Sequence, residues 1–395
     1  MYDLIIIGGG PSGSSAGRTA GKLGLNTLLI EKEKFPRNKP CGGALSSYAV
    51  SCLDFKIPEF AIERNISKVR VHFKDRFVES EKESTLAYLI SRKVFDNYLL
   101  EKARETGIEV HTDEKVLDCI EGEDCVEVRT TDNTYLAKFV LIAEGSGGTL
   151  KHKVRPKDLR TEYSLGLVSE IPDRDEVIKN RLPDTADFYF GIAQGGYGWI
   201  FPHTGYYSVG VVGIAGYLKH PKKTMLDFLQ ANGFSCNSPI FAHILPLGGI
   251  KRETVSSRLL LSGDAAGFID AFSGEGIAYA IRSGQLAAEI ISDVVMYNRK
   301  LSNLKKYNSN CRREFGNFLT SSLKLEKVMH RFPEVTFKMA VSNREILDKY
   351  LDEAVINRNH KDYVQWLLLN FCMAGPASKI KSLKAEKTDK NDKKN

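Results

Sequence analysis

Gly8, Gly10 and Gly13 fit the spacing G-x-G-x-x-G, and Glu31 follows at the distance expected of a ribose-binding acid. Gly8 would make the tight turn, Gly10 would let backbone approach a pyrophosphate, and Gly13 would let a helix pack closely on the preceding strand. Ser14 belongs to the same turn. Free N–H groups and the positive end of that helix would hold the phosphates. Glycine-rich turns are common, so the spacing alone is weak. Here strand, turn, helix, strand and terminal acid fall in order, which points to a dinucleotide. The motif does not separate FAD from NAD(P).

Other stretches carry further candidate chemistry. Gly263-Asp264 ends a short apolar run, Arg258 to Ser262, placing a carboxylate at the tip of a buried strand. Gly274, Gly276 and Ile277 open a long helix read from Glu275 to Asn298. Glycine backbone there could approach a flat ring, and the helix N-terminus could stabilise negative charge on it; a plain helix entry is the alternative. Tyr197, Trp199 and Phe201 alternate on a candidate strand and so face one side. They form either the wall of an apolar channel or an ordinary sheet core. Cys41 lies in the turn-rich loop Glu33 to Leu45, within Lys39-Pro40-Cys41-Gly42-Gly43-Ala44. A lone cysteine is usually a small buried hydrophobe; proton donation is the functional alternative. The eight histidines show neither metal spacing nor triad order.

These residues need a frame. Leu4 to Ile7 and Thr27 to Ile30 read as buried parallel strands joined by a helix to about Leu23. A helix capped by Ser91 follows, apolar at Val94, Phe95, Tyr98 and Leu99, then a strand at Glu109 to His111. Val116 to Ile120, Val126 to Thr130 and Tyr135 to Ala137 suggest a meander, with Phe139 to Ala143 a separate buried strand closed by Glu144-Gly145. VRVHF (69–73), LAYLI (86–90) and Tyr163 to Ile214 have the alternation of antiparallel sheet, and Met225 to Ala231 that of a helix. The two halves of the nucleotide fold lie far apart in sequence around a β-rich insertion, the layout of a two-domain flavoprotein. The expected fold is therefore α/β with an α+β insertion: a Rossmann-like FAD-binding domain, an antiparallel-sheet substrate domain and a helical C-terminus. The expected boundaries are 1–68, 91–162 and 250–298 for the first, 69–90 and 163–249 for the second, 299–375 for the helices, and 376–395 for a basic disordered tail.

A chain of 395 residues with 42% hydrophobic and 27% charged residues has the make-up of a soluble, multidomain globular protein. The net charge of +7 is mild and no nucleic-acid motif accompanies it, so nucleic acid is not an expected partner. Seven scattered cysteines without a CxxC pair fit a reducing cytoplasm and neither a disulfide framework nor a zinc site. No signal peptide precedes the first strand, and no apolar run has the length of a membrane span.

Pro40-Cys41-Gly42-Gly43 paired with GGYGWIFP at 195–202, on this scaffold, resembles the geranylgeranyl reductase family within the FAD-dependent hydroxylase and reductase superfamily. The resemblance covers about Met1 to Ala288. It implies FAD contacts at Gly13, Glu31, Lys32, Cys41, Gly42, Ala44, Arg92, Val116, Asp264, Gly276 and Ile277. Asp264 would lie near the ribityl chain and pyrophosphate, Arg92 would serve phosphate or ribityl oxygens, and Val116 would meet the adenine side through its backbone. The superfamily's Asp-Gly is Glu144-Gly145 here; the longer arm keeps Glu144 out of the expected ligand set.

The implied reaction is hydride transfer from reduced FAD to isolated double bonds of an isoprenoid lipid. Its substrate would be an archaeal-type digeranylgeranylglycerophospholipid, geranylgeranyl diphosphate or a quinone side chain. Cys41, Tyr197 or water would supply the proton, and Tyr197 and Trp199 would wall the channel. Electrons would come from NAD(P)H or a ferredoxin-like protein. A flavin monooxygenase or halogenase is the alternative, because YGWIFP resembles W-x-W-x-I-P with Tyr and Phe substituted. A prenyl carrier that has lost FAD fits poorly with an intact Gly263-Asp264. The apolar segment YVQWLLLNFCM (363–373) and the lysines after it are expected either to touch an anionic membrane peripherally or to form a buried helix with a solvated tail.

Overall fold

The computed structural model describes residues 1–356, 360–367 and 369. Its first sheet forms where the sequence is most apolar. Tyr2–Ile7 runs parallel to Thr27–Glu31, with Leu4 opposite Thr27 and Ile7 opposite Ile30. Glu109–Thr112 extends that edge, and Thr134–Ile142 flanks Tyr2–Ile7 on the other side. Both faces are covered, so alternation is absent: Leu4, Ile5, Ile6, Leu28 and Leu29 are all fully buried. One face packs on the helices Pro11–Lys22 and Ile277–Met296. A Cβ on Gly284 would lie 2.2 Å from the Ser12 carbonyl oxygen, so these two helices touch through their backbones.

Thr134–Ile142 is one nine-residue strand where the sequence suggested two. Its partner changes midway. Residues 134–137 pair antiparallel with Val126–Thr130, and residues 140–142 pair parallel with Leu259–Leu261. A change of neighbour, and with it of exposure, imitates a turn in the hydropathy pattern.

The second sheet has the order Phe241–Pro246, Tyr163–Pro172, Tyr206–Ile214, Tyr197–Pro202, Thr185–Phe190, Lys68–Phe73, Arg76–Glu81. Only the pair Thr185–Phe190 with Lys68–Phe73 is parallel. Period-two alternation sorts its faces. Ile200, Val209 and Val211 meet Met225, Phe228 and Leu229 of the helix Pro221–Ala231 on one side. Tyr197, Trp199, Phe201 and Val212 form the other. LAYLI does not join this sheet. Ala87–Leu89 pairs instead with Ala44–Ser46 and Arg64–Ile66 in a small third sheet that carries the Cys41 loop.

Arg92–Arg104 is a helix with Ser91 at its N-cap, though the Ser91 side chain makes no capping hydrogen bond. Toward the C-terminus, Asn317–Arg331, Pro333–Ser342 and His360–Leu367 bury Leu325, Phe337, Tyr363 and Leu367 against Val71 and Phe73 of the second sheet. Of the described residues in the apolar segment 363–373, Tyr363 and Leu367 face inward, Trp366 is half-buried, and Gln365 and Leu369 are exposed. Residues 368 and 370–373 and the lysine tail lie outside the described residues. Among the described residues no helix is long and apolar enough to cross a membrane.

Candidate active site

A cavity of about 960 Å³ lies between the C-terminal ends of the first sheet's strands and the Tyr197–Trp199–Phe201 face of the second. At its first end the chain leaves Ile7 through Gly8, whose φ of +107° suits glycine alone. A Cβ on Gly13 would fall 1.8 Å from the Gly8 carbonyl oxygen. Gly13 and Ser14 therefore stand behind the turn and do not line the cavity. Ser14 braces the turn by donating to the Gly9 carbonyl at 2.9 Å. Gly8 and Gly10 do line it, and no side chain caps the helix that starts at Pro11. Its first-turn amides are left for a ligand.

Glu31 closes this end. It is buried, accepting from Gly9 N–H at 2.7 Å and Glu33 N–H at 2.8 Å. Each carboxylate oxygen accepts two bonds, so it braces the loop and can still receive a hydroxyl. Lys32 and Val116 line the same end. Glu144 also lines this end, with its carboxylate held by the chain that follows it. It accepts from Lys151 N–H at 2.9 Å and packs on Gly148, and burial raises its pKa.

Cations gather beside the glycine turn. Arg92 Nε and Nη2 hold Asp96 at 2.7 and 2.9 Å, and Arg37 Nη2 reaches the same carboxylate at 3.0 Å. Burial opposes the charge on Arg92, but Asp96 and the Cys41 sulfur outweigh it and raise its pKa. Lys39 lies near, its pKa lowered by burial. Two carboxylates, Asp96 and Asp264, face Arg37, Lys39 and Arg92, and the buried Arg37 Nη1 has no hydrogen-bond partner. Arg37 Nη2 would be 3.5 Å from a Cβ on Gly10, beside the uncapped helix. Orphaned donor, glycine cradle and open helix end fit the diphosphate of FAD. Sequence reasoning missed Arg37, Lys39 and Asp96. The i,i+4 spacing of Arg92 and Asp96 was the available signal.

At the middle of the cavity stands Asp264. Burial raises its pKa, but His243, at 3.6 Å, with Lys39 and Arg92 more than offsets this and lowers it. Gly263, with φ +57°, sits behind Asp264 against Ser12 and Ala280 and does not line the cavity. Gly274, Gly276 and Ile277 do line it, and Gly276 caps the 20-residue helix without any side-chain bond. Asp270 accepts from the N–H groups of Phe272 and Ser273 and shapes this loop. No local motif announced Asp270 or His243.

Opposite lie Cys41, Gly42 and Ala44. The buried His203 sets this loop, with Nε2 3.0 Å from the Gly42 carbonyl and Nδ1 against Glu63. Trp199 and Phe201 pack on Gly42. The Tyr197 hydroxyl donates to the Ser273 carbonyl, and burial raises its pKa far beyond the usual phenol range. The chain thus brings Cys41, Tyr197 and Trp199 to one cavity.

Fold and site together define an FAD-dependent oxidoreductase, and residues 3–147 match the sequence profile of the FAD dependent oxidoreductase family. The chain is 30% identical to the digeranylgeranylglycerophospholipid reductase of Thermoplasma volcanium, over 75% of this chain and 79% of that protein. It is 32% identical to an uncharacterized protein of Methanosarcina barkeri, over 74% and 75% of the two chains. A solved geranylgeranyl bacteriochlorophyll reductase-like protein from Thermoplasma acidophilum superposes with TM-score 0.81 at 23% identity, over 94% of this chain and 97% of that one. The chain belongs to the geranylgeranyl reductase family.

Proposed function

We propose that this flavoenzyme saturates double bonds in the geranylgeranyl chains of an isoprenoid lipid, with a digeranylgeranylglycerophospholipid as its substrate class. The observation that carries the reading is the reach of the cavity. Beyond Trp199 and Phe201 it continues between the second sheet and the C-terminal helices, lined by Val71, Phe190, Met329, Phe337, Leu347 and Leu351. That lining suits an isoprenoid chain and offers little to a polar substrate.

Bound FAD supplies hydride chemistry. An isolated alkene has no carbonyl to polarise, so an oxyanion hole would gain nothing. The protein contributes position and dryness. Tyr197, Trp199 and Phe201 hold the chain against the Gly274–Ile277 side of the cavity and exclude water. Tyr197 has its hydrogen committed to Ser273. Cys41, on the opposite loop and beside Arg92, is therefore the group assigned to proton delivery. The reductant is NAD(P)H or a ferredoxin-like protein.

Anaerobic reduction with dithionite, followed by addition of a digeranylgeranyl diether lipid or geranylgeranyl diphosphate, tests this. Mass spectrometry should show two hydrogens gained per double bond, with the diether preferred. Bound, reduced flavin with no hydrogen gained by either lipid would overturn the reading, and oxygen-dependent chemistry would then be the one to test.

A further inference from the structure

The corner between the helices Asn317–Arg331 and Pro333–Ser342 is apolar where a surface corner should be polar. Val328 is 53% exposed, Phe332 59% and Val335 68%, all within eight residues. The corner is pinned by the half-buried Thr336, whose one hydroxyl hydrogen is shared between the carbonyls of Met329 and Phe332 at 2.9 and 2.8 Å. The exposed side chains thus sit on a fixed scaffold. Clustered exposed apolar residues of this kind mark an interaction surface.

Charge says what the partner is. Lys324, Val328 and Arg331 fall at i, i+4 and i+7 on one helix, and Val335 and Lys338 at i and i+3 on the next. Lys324, Lys327, Arg331 and Lys338 are exposed, and none forms an ion pair with a described residue. Of the two acids between residues 324 and 338, Glu326 is buried and the exposed Glu334 is neutralised by Lys74 at 2.6 Å. An apolar tip rimmed by unpaired cations is the pattern of interfacial binding to anionic lipid. The last residues of this chain are a poor occupant for the corner, since Lys379 to Asn395 carry seven lysines against three acids.

We infer that this corner docks the enzyme on an anionic lipid bilayer, with Phe332 and Val335 inserted among the acyl chains. Met329 and Phe337, from the inward sides of the same two helices, line the cavity. The docked face and the chain-binding cavity are therefore one helix diameter apart, roughly 10 Å. This inference rests on the prenyl-lipid reading for its purpose, but its observations stand apart from it.

The test is co-sedimentation of the full-length FAD-loaded enzyme with vesicles of phosphatidylcholine alone or mixed with phosphatidylglycerol. Binding is expected only with the anionic vesicles and should weaken as salt rises. Phe332→Ser with Val335→Ser, and separately Lys327→Glu with Arg331→Glu, should each lower the partition coefficient at least about tenfold. Turnover of detergent-dispersed geranylgeranyl diphosphate should stay unchanged in both variants. The proposal is overturned by wild-type protein that stays in the supernatant with anionic vesicles, or by binding that ignores both double variants. An oligomer that Phe332→Ser dissolves, without vesicle binding, would overturn it in favour of self-association. If vesicle binding holds while no prenyl lipid is ever reduced, the docking surface stands and the proposed reaction falls.

Discussion

A methyl group at Gly13 would sit 1.8 Å from the Gly8 carbonyl oxygen, so Gly13→Ala must push the first helix away from its strand. The purified variant should lose most of its flavin absorbance, with FAD bound at least about tenfold more weakly. Tyr197→Phe is a milder change. It removes one buried donor from the Ser273 carbonyl, should cost about 1 kcal/mol in thermal or urea unfolding, and should keep the flavin. If Tyr197 were the proton donor, its loss would instead abolish turnover. Cys41→Ala should retain flavin and its reduction by dithionite, yet slow lipid saturation about 100-fold, measured in single-turnover reactions.

The helix Asn317–Arg331 carries a buried Glu326 and, one turn on, a half-buried His330, whose effects on stability oppose each other. Burial raises the Glu326 carboxyl to about 7, and its oxygens have no hydrogen-bond partner. Folding therefore favours its protonated form, and the stability it gives at acid pH is lost between about 4.5 and 7. Burial lowers His330 to about 4. Its neutral form is favoured, so stability is lost as pH falls from about 6.5 to 4. Each effect is worth about 3 kcal/mol over its range. The slopes cancel between about pH 4.5 and 6.5. Glu326→Gln should uncover a melting temperature that climbs across that interval, and His330→Gln one that falls. Parallel pH profiles for wild type and both variants would contradict this.

Across the whole molecule, one cavity joins the strand tips of the first sheet, the inner face of the second and the C-terminal helices. FAD bound there couples elements far apart in the chain. Removing it should lower the melting temperature, and restoring it at a hundredfold excess over its dissociation constant should return about 2.7 kcal/mol. The recovery should follow added FAD concentration. The same layout gives room for a long apolar chain: the helical layer packs against Val71 and Phe73 on the face of the second sheet that also carries Tyr197 and Trp199, and so extends the cavity toward that edge.

Local patterns in the chain determined what depends on short range. Gly8, Gly13 and Glu31 could be read because turn, helix start and strand-end acid follow in order, and each needs a particular residue type at a particular spacing. Tyr197, Trp199 and Phe201 could be placed on one face because strand alternation is a backbone property. Only the tertiary structure decided which face that was, since a channel wall and a sheet core share one pattern. It also decided that Thr134–Ile142 is unbroken, because its two halves answer to different neighbours. It brought His243 to Asp264, Arg37 to Asp96 and His203 to Gly42, pairings that no local spacing encodes. Those contacts exist because sheets gather segments distant in the chain, so the cationic lining of the cavity and the support of the Cys41 loop emerge only when the chain is folded.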